Sequence, residues 1–209
     1  KPNRAGEVLV AKLLEGKPIA EKIKSEIKSE IAALGRAPVL ASVMAGDNPA
    51  AESYIKAQKK TAEALGIVYQ FHKLSALVKE GELIDLICKL NQDKEVNGII
   101  VQMPLPPAID YKKISNFIIP QKDVEGMHPV NIGKLLFDQS GIIPCTPAAV
   151  MELLKSSGVE LYGKETVIVG HSEIVGKPLA LLLLAKFATV TVAHIATSEA
   201  NKLEGHVKG

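Results

Sequence analysis

Apolar residues recur along the first 145 residues of the chain in two alternating patterns, one typical of helices and one typical of strands. Helical spacing predicts three helices, over residues 19–34, 50–65 and 80–90. Short β-branched or apolar runs predict three strands, over residues 39–45, 67–72 and 98–103. Strands that alternate with helices of this length form parallel βαβ units covered on both faces. The pattern therefore predicts an α/β fold with ligands bound beyond the carboxyl ends of the strands.

The segment Val167–Pro178 carries a different signal. A β-branched run ends at Gly170 and is followed by a polar turn and then by an apolar helix. This pattern is typical of a strand-turn-helix unit that binds an anion at the helix N-terminus. The Walker pattern fails, because five residues separate Gly170 from Gly176 and Pro178 replaces the Mg²⁺-binding Ser or Thr. The pattern G-x-G-x-x-G fits loosely, with Ser172 at the second glycine and Gly176 one position late. A dinucleotide-binding turn and an ordinary strand-to-helix turn both remain open at this point.

The remaining elements complete the predicted architecture. Thr146-Pro147 opens a helix that runs through Leu154, with Thr146 as the N-cap, and a strand over residues 188–193 follows the Gly170 turn and its helix. We expect two three-layer αβα domains with mainly parallel sheets, over residues 1–146 and 147–209. A Rossmann half needs three strands, so we expect the second, Rossmann-type domain to be incomplete here and the protein to continue past Gly209.

Composition and charge exclude several classes of partner. The 209 residues have a net charge of +2 with lysines spread along helices, so neither nucleic acid nor a membrane is the expected partner. The apolar run over residues 179–185 is far shorter than the roughly 20 residues that span a bilayer. Cys88 and Cys145 lack C-x-x-C spacing and fit a reducing interior. No apolar signal core follows the basic residues 1–4, so no secretory peptide is visible and we expect a cytoplasmic protein. A mitochondrial origin is left open, because the chain starts at Lys1 rather than at a methionine.

Several polar residues fall where a ligand is expected. Tyr54 and Gln58 stand four apart and share one helix face, and Gln102 follows the third strand between apolar neighbours. The loop over residues 122–129 supplies carboxylates, and together these groups suit recognition of a polar heterocycle. The alternative is that Tyr54 is simply a half-buried helical tyrosine. His72 and His194 have no companions at ligand spacing, so no metal site is expected.

These features together resemble the bifunctional methylenetetrahydrofolate dehydrogenase/methenyltetrahydrofolate cyclohydrolase family. The matching segments, in the family's order from about Leu9 onward, are residues 46–49, 53–55, 101–106, 122–126, 144–147 and 168–178. The resemblance implies a folate-binding catalytic domain, a Rossmann NAD(P) domain, an active site in the cleft between them, and a homodimer. It implies NAD(P)-dependent oxidation of 5,10-methylenetetrahydrofolate to the methenyl form and hydrolysis to 10-formyltetrahydrofolate, in the one-carbon metabolism that serves purine biosynthesis.

The resemblance also assigns roles to individual residues. The implied catalytic residues are Tyr54, Gln58, Gln102 and Glu125. The implied substrate-binding residues are these four with Val101, Met103 and Asp123. The implied cofactor-binding residues are Gly170, His171, Ser172, Ile174, Gly176, Pro178, Ile195 and Thr197. No metal is implied.

The sequence departs from the family pattern at residues that the resemblance places in the active site. Gln58 stands where the family has a lysine that acts in the proton transfers of hydrolysis, and an amide is neither acid nor base near neutral pH. Ala51 replaces a serine, and Glu125 replaces an aspartate. The sequence therefore predicts dehydrogenase activity with weak or absent cyclohydrolase activity. The rival hypotheses are a catalytically silent paralogue that binds folate or nucleotide, and a two-domain dehydrogenase acting on another substrate.

The cofactor side departs as well. His171 replaces an arginine and Ile195 a serine, which in the family help to hold the 2′-phosphate of NADP. No acid stands at the end of the second Rossmann strand to bind the free 2′-hydroxyl of NAD. NADP remains the expected cofactor on the resemblance, with NAD as the alternative.

Overall fold

The computed structural model describes residues 13–139 and 141–207; the outer ends of the two predicted domains, residues 1–12 and 208–209, lie outside these ranges. The strands are β1 (Val39–Ala45), β2 (Val68–Leu74), β3 (Gly98–Val101), β4 (Glu165–Val169) and β5 (Thr189–Ala193). The helices are α1 (Gly16–Ala33), α2 (Pro49–Leu65), α3 (Glu80–Gln92), α4 (Tyr111–Ser115), α5 (Pro129–Leu136), α6 (Cys145–Ser157), α7 (Gly176–Leu184), α8 (Ile195–Glu199) and α9 (Leu203–Val207).

The first sheet has the order β2-β1-β3, and both of its strand pairs are parallel. On one face α2 packs through Ala51, Ile55 and Ala62. On the other face α3 and the segment over residues 109–118 enclose a larger apolar core. Helices on both faces explain why β1 and β3 are apolar almost throughout. The prediction of an α/β fold with parallel strands between helical layers is confirmed.

The second sheet pairs β4 and β5 in parallel, with α7 as the crossover between them. Ile168 is buried against Leu179 and Leu183 of α7, and α6 packs beside them. Since successive side chains of a strand point to opposite faces, Val167 and Val169 face the other way, and both are exposed. This strand-turn-helix-strand unit is the βαβ arrangement expected of a nucleotide-binding fold.

Some element boundaries differ from the predicted ones. Thr146 is not the N-cap of α6, which begins at Cys145 with Pro144 as its N-cap. The third strand ends at Val101, so Gln102 lies just beyond it, although its backbone N–H still donates to Val43 O at 2.8 Å. The second strand extends two residues further than expected, to Leu74. The predicted boundary between residues 146 and 147 falls within the first turn of α6.

The ammonium of Lys122, bound to three backbone carbonyl oxygens, fixes the loop that follows α4. Lys122 Nζ donates to the carbonyl oxygens of Leu90, Asn91 and Asp93, at 2.9, 2.8 and 2.6 Å. These carbonyls close α3, where helix carbonyls lack intrahelical partners and the helix dipole favours a cation. The loop is thereby attached to the helix that carries much of the first core.

We expect Lys122→Met to lower the free energy of unfolding by about 2 kcal/mol, because charge-assisted hydrogen bonds to three carbonyls are lost. Chemical denaturation would measure the change. Lys94→Met is the matched control, since Lys94 is exposed nearby, and it should leave stability within about 0.5 kcal/mol of the wild type. Equal stabilities for the two variants would contradict this role for Lys122.

Candidate functional site

Two glutamine side chains meet at the carboxyl end of the first sheet. Gln102 Nε2 donates to Gln58 Oε1 at 2.8 Å and to Ser42 Oγ at 3.0 Å. The Tyr69 hydroxyl also donates to Gln58 Oε1, at 3.0 Å. Gln102 is only 5% exposed, and Ser42 and Tyr69 are buried. A polar group so placed must be hydrogen-bonded, and here Ser42 of β1 and Gln58 of α2 supply the partners of Gln102 that the sequence left unidentified.

The other predicted residues at this edge differ in how a ligand can reach them. Tyr54, one turn before Gln58 on α2, is 60% exposed and presents its ring to solvent. Tyr54 is thus more exposed than the alternative of a half-buried helical tyrosine expects, and its role in binding stays a prediction. Val101 is buried in the core, so its side chain is out of reach. Met103 is exposed and precedes a cis proline, Pro104. The exposed ring of Tyr54 beside a buried amide network is a suitable surface for a planar polar ligand.

Glu125 is a partly buried carboxyl beside Tyr111. Its Oε2 accepts a hydrogen bond from the Tyr111 hydroxyl at 3.3 Å. Burial raises the pKa of Glu125 from 4.5 to about 7, although the hydrogen bond from Tyr111 opposes the rise and the charge of Asp123 adds to it. Burial and the neighbouring Glu125 and Asp123 carboxylates raise the pKa of Tyr111 too. Titratable groups whose pKa values are shifted in this way are concentrated at functional sites.

Asp123 has a different environment from Glu125. It is 3% exposed, and its Oδ2 accepts from the His128 backbone N–H at 2.7 Å and from Asn131 Nδ2 at 2.9 Å. These bonds order the loop between β3 and α5. Direct contact between Asp123 and a substrate stays a prediction.

The turn between Glu125 and the next strand requires a glycine. Gly126 has φ +67°, and a Cβ placed on it would lie 2.7 Å from Ile142 O. A side chain at this position would displace the loop from the backbone that leads into α6. The glycine thereby allows the loop next to Glu125 to pack against that backbone.

The strand-to-helix turn after β4 has the geometry of a phosphate cradle. Gly170 has φ +121° with open space around it, and a Cβ on Gly176 would lie 2.2 Å from Gly170 O. Ser172 Oγ accepts from the backbone N–H groups of Val175 and Gly176 at 3.2 and 3.4 Å. Pro178 is buried in the first turn of α7. A backbone that is open at one glycine and tightly packed at the other fits a dinucleotide pyrophosphate at the helix N-terminus.

The remaining cofactor candidates surround the carboxyl end of β5. The rings of His171 and His194 are tilted against each other with centroids 4.8 Å apart. Thr197 Oγ1 accepts from the His194 backbone N–H at 3.1 Å, so it caps α8. Ile174 and Ile195 are exposed. The structure therefore brings His171, Thr197 and Ile195 to the same edge as the turn.

A short helix joins the two groups of residues. Tyr111, which bonds to Glu125, is followed on α4 by Lys112, and Lys112 Nζ lies 2.7 Å from Glu173 of the Gly170 turn. A cavity of about 600 Å³ lies between α4, the start of α5 and α7. Sequence reasoning missed Ser42, Tyr69 and Tyr111. A serine within the otherwise apolar strand β1 was the signal that could have pointed to the first of them.

Two family models match the chain. The tetrahydrofolate dehydrogenase/cyclohydrolase catalytic domain matches residues 14–125, and the NAD(P)-binding domain of the same enzymes matches residues 144–207. These matches agree with the structure, in which the turn after β4 lies beside the polar residues at the end of the first sheet. Together they place the chain in the class of NAD(P)-binding enzymes. The chain belongs to the tetrahydrofolate dehydrogenase/cyclohydrolase family, and residues 144–207 match the NAD(P)-binding domain of that family.

Individual relatives agree with this assignment. The bifunctional protein FolD of Acetivibrio thermocellus is 46% identical over 196 residues, which cover 92% of this chain and 69% of the relative. The bifunctional FolD enzyme of Campylobacter jejuni has a solved structure that matches with TM-score 0.85 and 44% identity, over 88% of this chain and 67% of that one. The Trypanosoma brucei enzyme, solved with NADP and an inhibitor, matches with TM-score 0.86 and 35% identity, over 94% and 69%.

Within residues 13–139 and 141–207, no helix is long and apolar enough to cross a membrane. The same residues contain no group of three or more His, Cys, Asp or Glu side chains that could hold a metal ion.

The raised pKa of Glu125 predicts how stability depends on pH. The folded protein holds the proton of the Glu125 carboxyl more tightly than the unfolded chain does. The contribution of this carboxyl to the free energy of unfolding is therefore complete below about pH 4.5 and is lost as the pH rises through 7. We expect the free energy of unfolding of the wild type to fall between these values by up to about 3 kcal/mol relative to Glu125→Gln. Denaturation at several pH values would measure it. Glu95→Gln, at an exposed position, should follow the wild type, and a Glu125→Gln curve parallel to the wild type would refute the assignment.

Proposed function

We propose that this protein oxidises 5,10-methylenetetrahydrofolate to 5,10-methenyltetrahydrofolate with NAD(P), and that its cyclohydrolase activity is weak. The observation that carries the second part is Gln58, a neutral amide whose Oε1 is already occupied by Gln102 and Tyr69. An amide binds and orients a ligand, but it transfers no proton near neutral pH.

The two reactions make different demands on the site. Oxidation needs the substrate carbon and the nicotinamide ring to be held in contact; when bound, the nicotinamide supplies the hydride acceptor. Hydrolysis also needs protons to be taken from water and delivered to nitrogen. Glu125, with a pKa near 7, is a titratable group that supports slow proton transfer. The proposal is therefore weak hydrolysis rather than none.

In this proposal the folate site is formed by the end of the first sheet. Tyr54 stacks on the pterin, Gln58 and Gln102 hydrogen-bond to its polar atoms, and Glu125 binds its far edge. Val101 contributes through its backbone and Met103 through its side chain, while Asp123 orders the loop. The exposure of the Tyr54 ring, the burial of Gln102 and the half-buried position of Gln58 support this division of roles.

The cofactor site is formed by the turn after β4 and the end of β5. Gly170, Ser172 and Gly176 bind the pyrophosphate, with Ile174 and Pro178 shaping the turn. His171, Ile195 and Thr197 lie toward the adenosine ribose. NADP is the proposed cofactor and NAD the alternative.

The wider context follows the family. We propose that residues 1–146 form the folate-binding domain and residues 147–209 the NAD(P)-binding domain. A homodimer in the cytoplasm, acting in the one-carbon metabolism that serves purine biosynthesis, is the setting that fits the family.

The decisive experiment compares both activities in the wild type and in Gln58→Lys. Nicotinamide absorbance should change on addition of methylenetetrahydrofolate with NADP or NAD, whereas methenyltetrahydrofolate should be hydrolysed slowly. We expect Gln58→Lys to raise hydrolysis at least ten-fold, because it supplies a titratable ammonium beside Gln102. Gln139→Lys adds the same charge at an exposed position away from the site and should change neither activity.

Two outcomes would overturn this proposal. Fast hydrolysis in the wild type that Gln58→Lys does not increase would remove the case for a weakened cyclohydrolase. Measurable tetrahydrofolate binding without oxidation by either cofactor would favour a silent paralogue.

The cofactor assignment predicts a further change. His171→Arg should lower the KM for NADP about ten-fold and leave the KM for NAD within two-fold, because a permanent, bidentate cation pairs with a 2′-phosphate that NAD lacks. Steady-state kinetics with both cofactors would measure this. His206→Arg, in the exposed helix α9, is the control for added charge, and an equal effect of His171→Arg on both cofactors would place the 2′-phosphate elsewhere.

A further inference from the structure

Glu125 lies in a loop whose backbone is closely packed, but its carboxyl has a single anchor. A Cβ added at Gly98 of β3 would collide with the Val124 side chain, so the loop packs directly against the strand. Gly126, on the other side of Glu125, is packed as closely. Among the described residues, the Glu125 carboxyl makes one hydrogen bond, in which its Oε2 accepts from the Tyr111 hydroxyl at 3.3 Å. The position of this carboxyl therefore depends on Tyr111.

Tyr111 is itself held in place by the helix that carries it. Its ring packs against the larger apolar core of the first half of the chain, and Ile114, which follows on α4, is completely buried in that core. Lys113 forms an ion pair with Glu80 at the start of α3. Because α4 is attached both through the core and through this ion pair, the Tyr111 hydroxyl has a well-defined position.

We propose that Tyr111 is a positioning residue of the folate site, which holds one oxygen of the Glu125 carboxyl and leaves the other oxygen, Oε1, for the substrate. This inference rests on the proposed binding of the pterin by Glu125 and adds the group that fixes that carboxyl. His72 Nε2 is the only described side-chain atom that is both fully buried and unpartnered. Oε1 of Glu125 has no partner in the described ranges, so it is open to solvent and can accept from an N–H group of a ligand.

The contact between Tyr111 and Glu125 does not depend on the direction of the hydrogen bond. The two oxygens of a carboxyl are equivalent, and a phenol donates to the ionised form or accepts from the protonated form. Donation to the ionised form is the stronger of the two, because it is charge-assisted. The other titratable groups that face Glu125 are Asp123, which is bonded within its own loop, and Cys145, whose thiol lies 3.7 Å from Val124 O. Neither of them replaces the hydroxyl of Tyr111.

The length of the glutamate side chain explains why the anchor is on α4. Glutamate is one methylene longer than the aspartate of the family pattern, and an aspartate carboxyl at position 125 would be withdrawn by roughly 1.5 Å, one C–C bond. That change would take the 3.3 Å contact with Tyr111 beyond hydrogen-bonding distance. Glutamate also has an additional rotatable bond, whose freedom is lost when a ligand binds. With the Tyr111 contact in place, much of that freedom is already lost before the substrate arrives.

The test is a double-mutant cycle between Tyr111→Phe and Glu125→Asp in the full-length protein. Phenylalanine keeps the ring in the core, and aspartate keeps a carboxyl but withdraws it from α4. We expect Tyr111→Phe to raise the KM for methylenetetrahydrofolate about five-fold, because the substrate must then immobilise the Glu125 side chain, with kcat within two-fold. In the Glu125→Asp background, Tyr111→Phe should change KM less than two-fold. Tyr162→Phe is the matched control, since Tyr162 is exposed beside Phe187, and it should leave KM unchanged.

A second measurement separates the positioning role from the proposed function. The carboxyl carbon of Glu125, assigned by NMR from Glu125→Gln, should titrate with a pKa of about 7 in the wild type. In Tyr111→Phe we expect this pKa to be about 0.5 pH unit higher, because the hydrogen bond that favours the ionised form is lost, and in Tyr162→Phe we expect no change. An unmoved titration, or an equal KM effect of Tyr111→Phe in both backgrounds, would overturn the positioning role even in an active enzyme. A moved titration in a protein that does not oxidise methylenetetrahydrofolate would contradict the proposed function instead.

Discussion

The ammonium of Lys122 at the end of α3 is the interaction on which the folate side of the molecule depends. Three carbonyl oxygens receive it, and they belong to a helix whose other residues form the main apolar core. Because the cation is bound to backbone rather than to a flexible acid, the loop that follows has one position relative to β3. A backbone hydrogen bond from Ile99 to Lys122 O extends that register into the sheet. Glu125 follows Lys122 by three residues, so the attachment of Lys122 to α3 also positions Glu125 relative to the strand ends.

The amide network shows what is lost and gained when a neutral group occupies position 58. An ammonium in the same place would be partly desolvated between α2 and the sheet, and burying a cation is costly unless it is paired. Gln58, Gln102, Ser42 and Tyr69 satisfy one another without any charge. In the proposed function, the side chain at position 58 therefore has its hydrogen bonds satisfied without charge but has no proton to transfer near neutral pH.

Sequence patterns predicted the strands, the α/β class and the Gly170 turn, because hydrophobic period and glycine placement are local signals. The partners of the site residues were not predictable in this way. Ser42 lies 60 residues from Gln102, and Tyr111 and Glu125 meet only because Lys122 positions the loop between them. The N-cap of α6 was predicted wrongly for a local reason: proline fits any position of a helix's first turn, where its missing N–H is unpaired anyway. Pro147 was therefore compatible with a start at Cys145 as well as at Pro147 itself.

The two glycines determine the backbone shape of the turn, whereas the side chains beyond the turn determine the choice between NAD and NADP. Gly176 is required because a Cβ would collide with Gly170 O, whatever nucleotide is bound. That constraint acts on the backbone, and the pyrophosphate it accommodates is common to NAD and NADP. In the proposed cofactor site, discrimination comes from groups near the adenosine ribose, where the rings of His171 and His194 are tilted against each other and the Ile195 side chain has no hydrogen-bonding group. The same turn can thus be an unambiguous mark of the enzyme family and say little about its cofactor, because the two properties depend on backbone and side chain respectively.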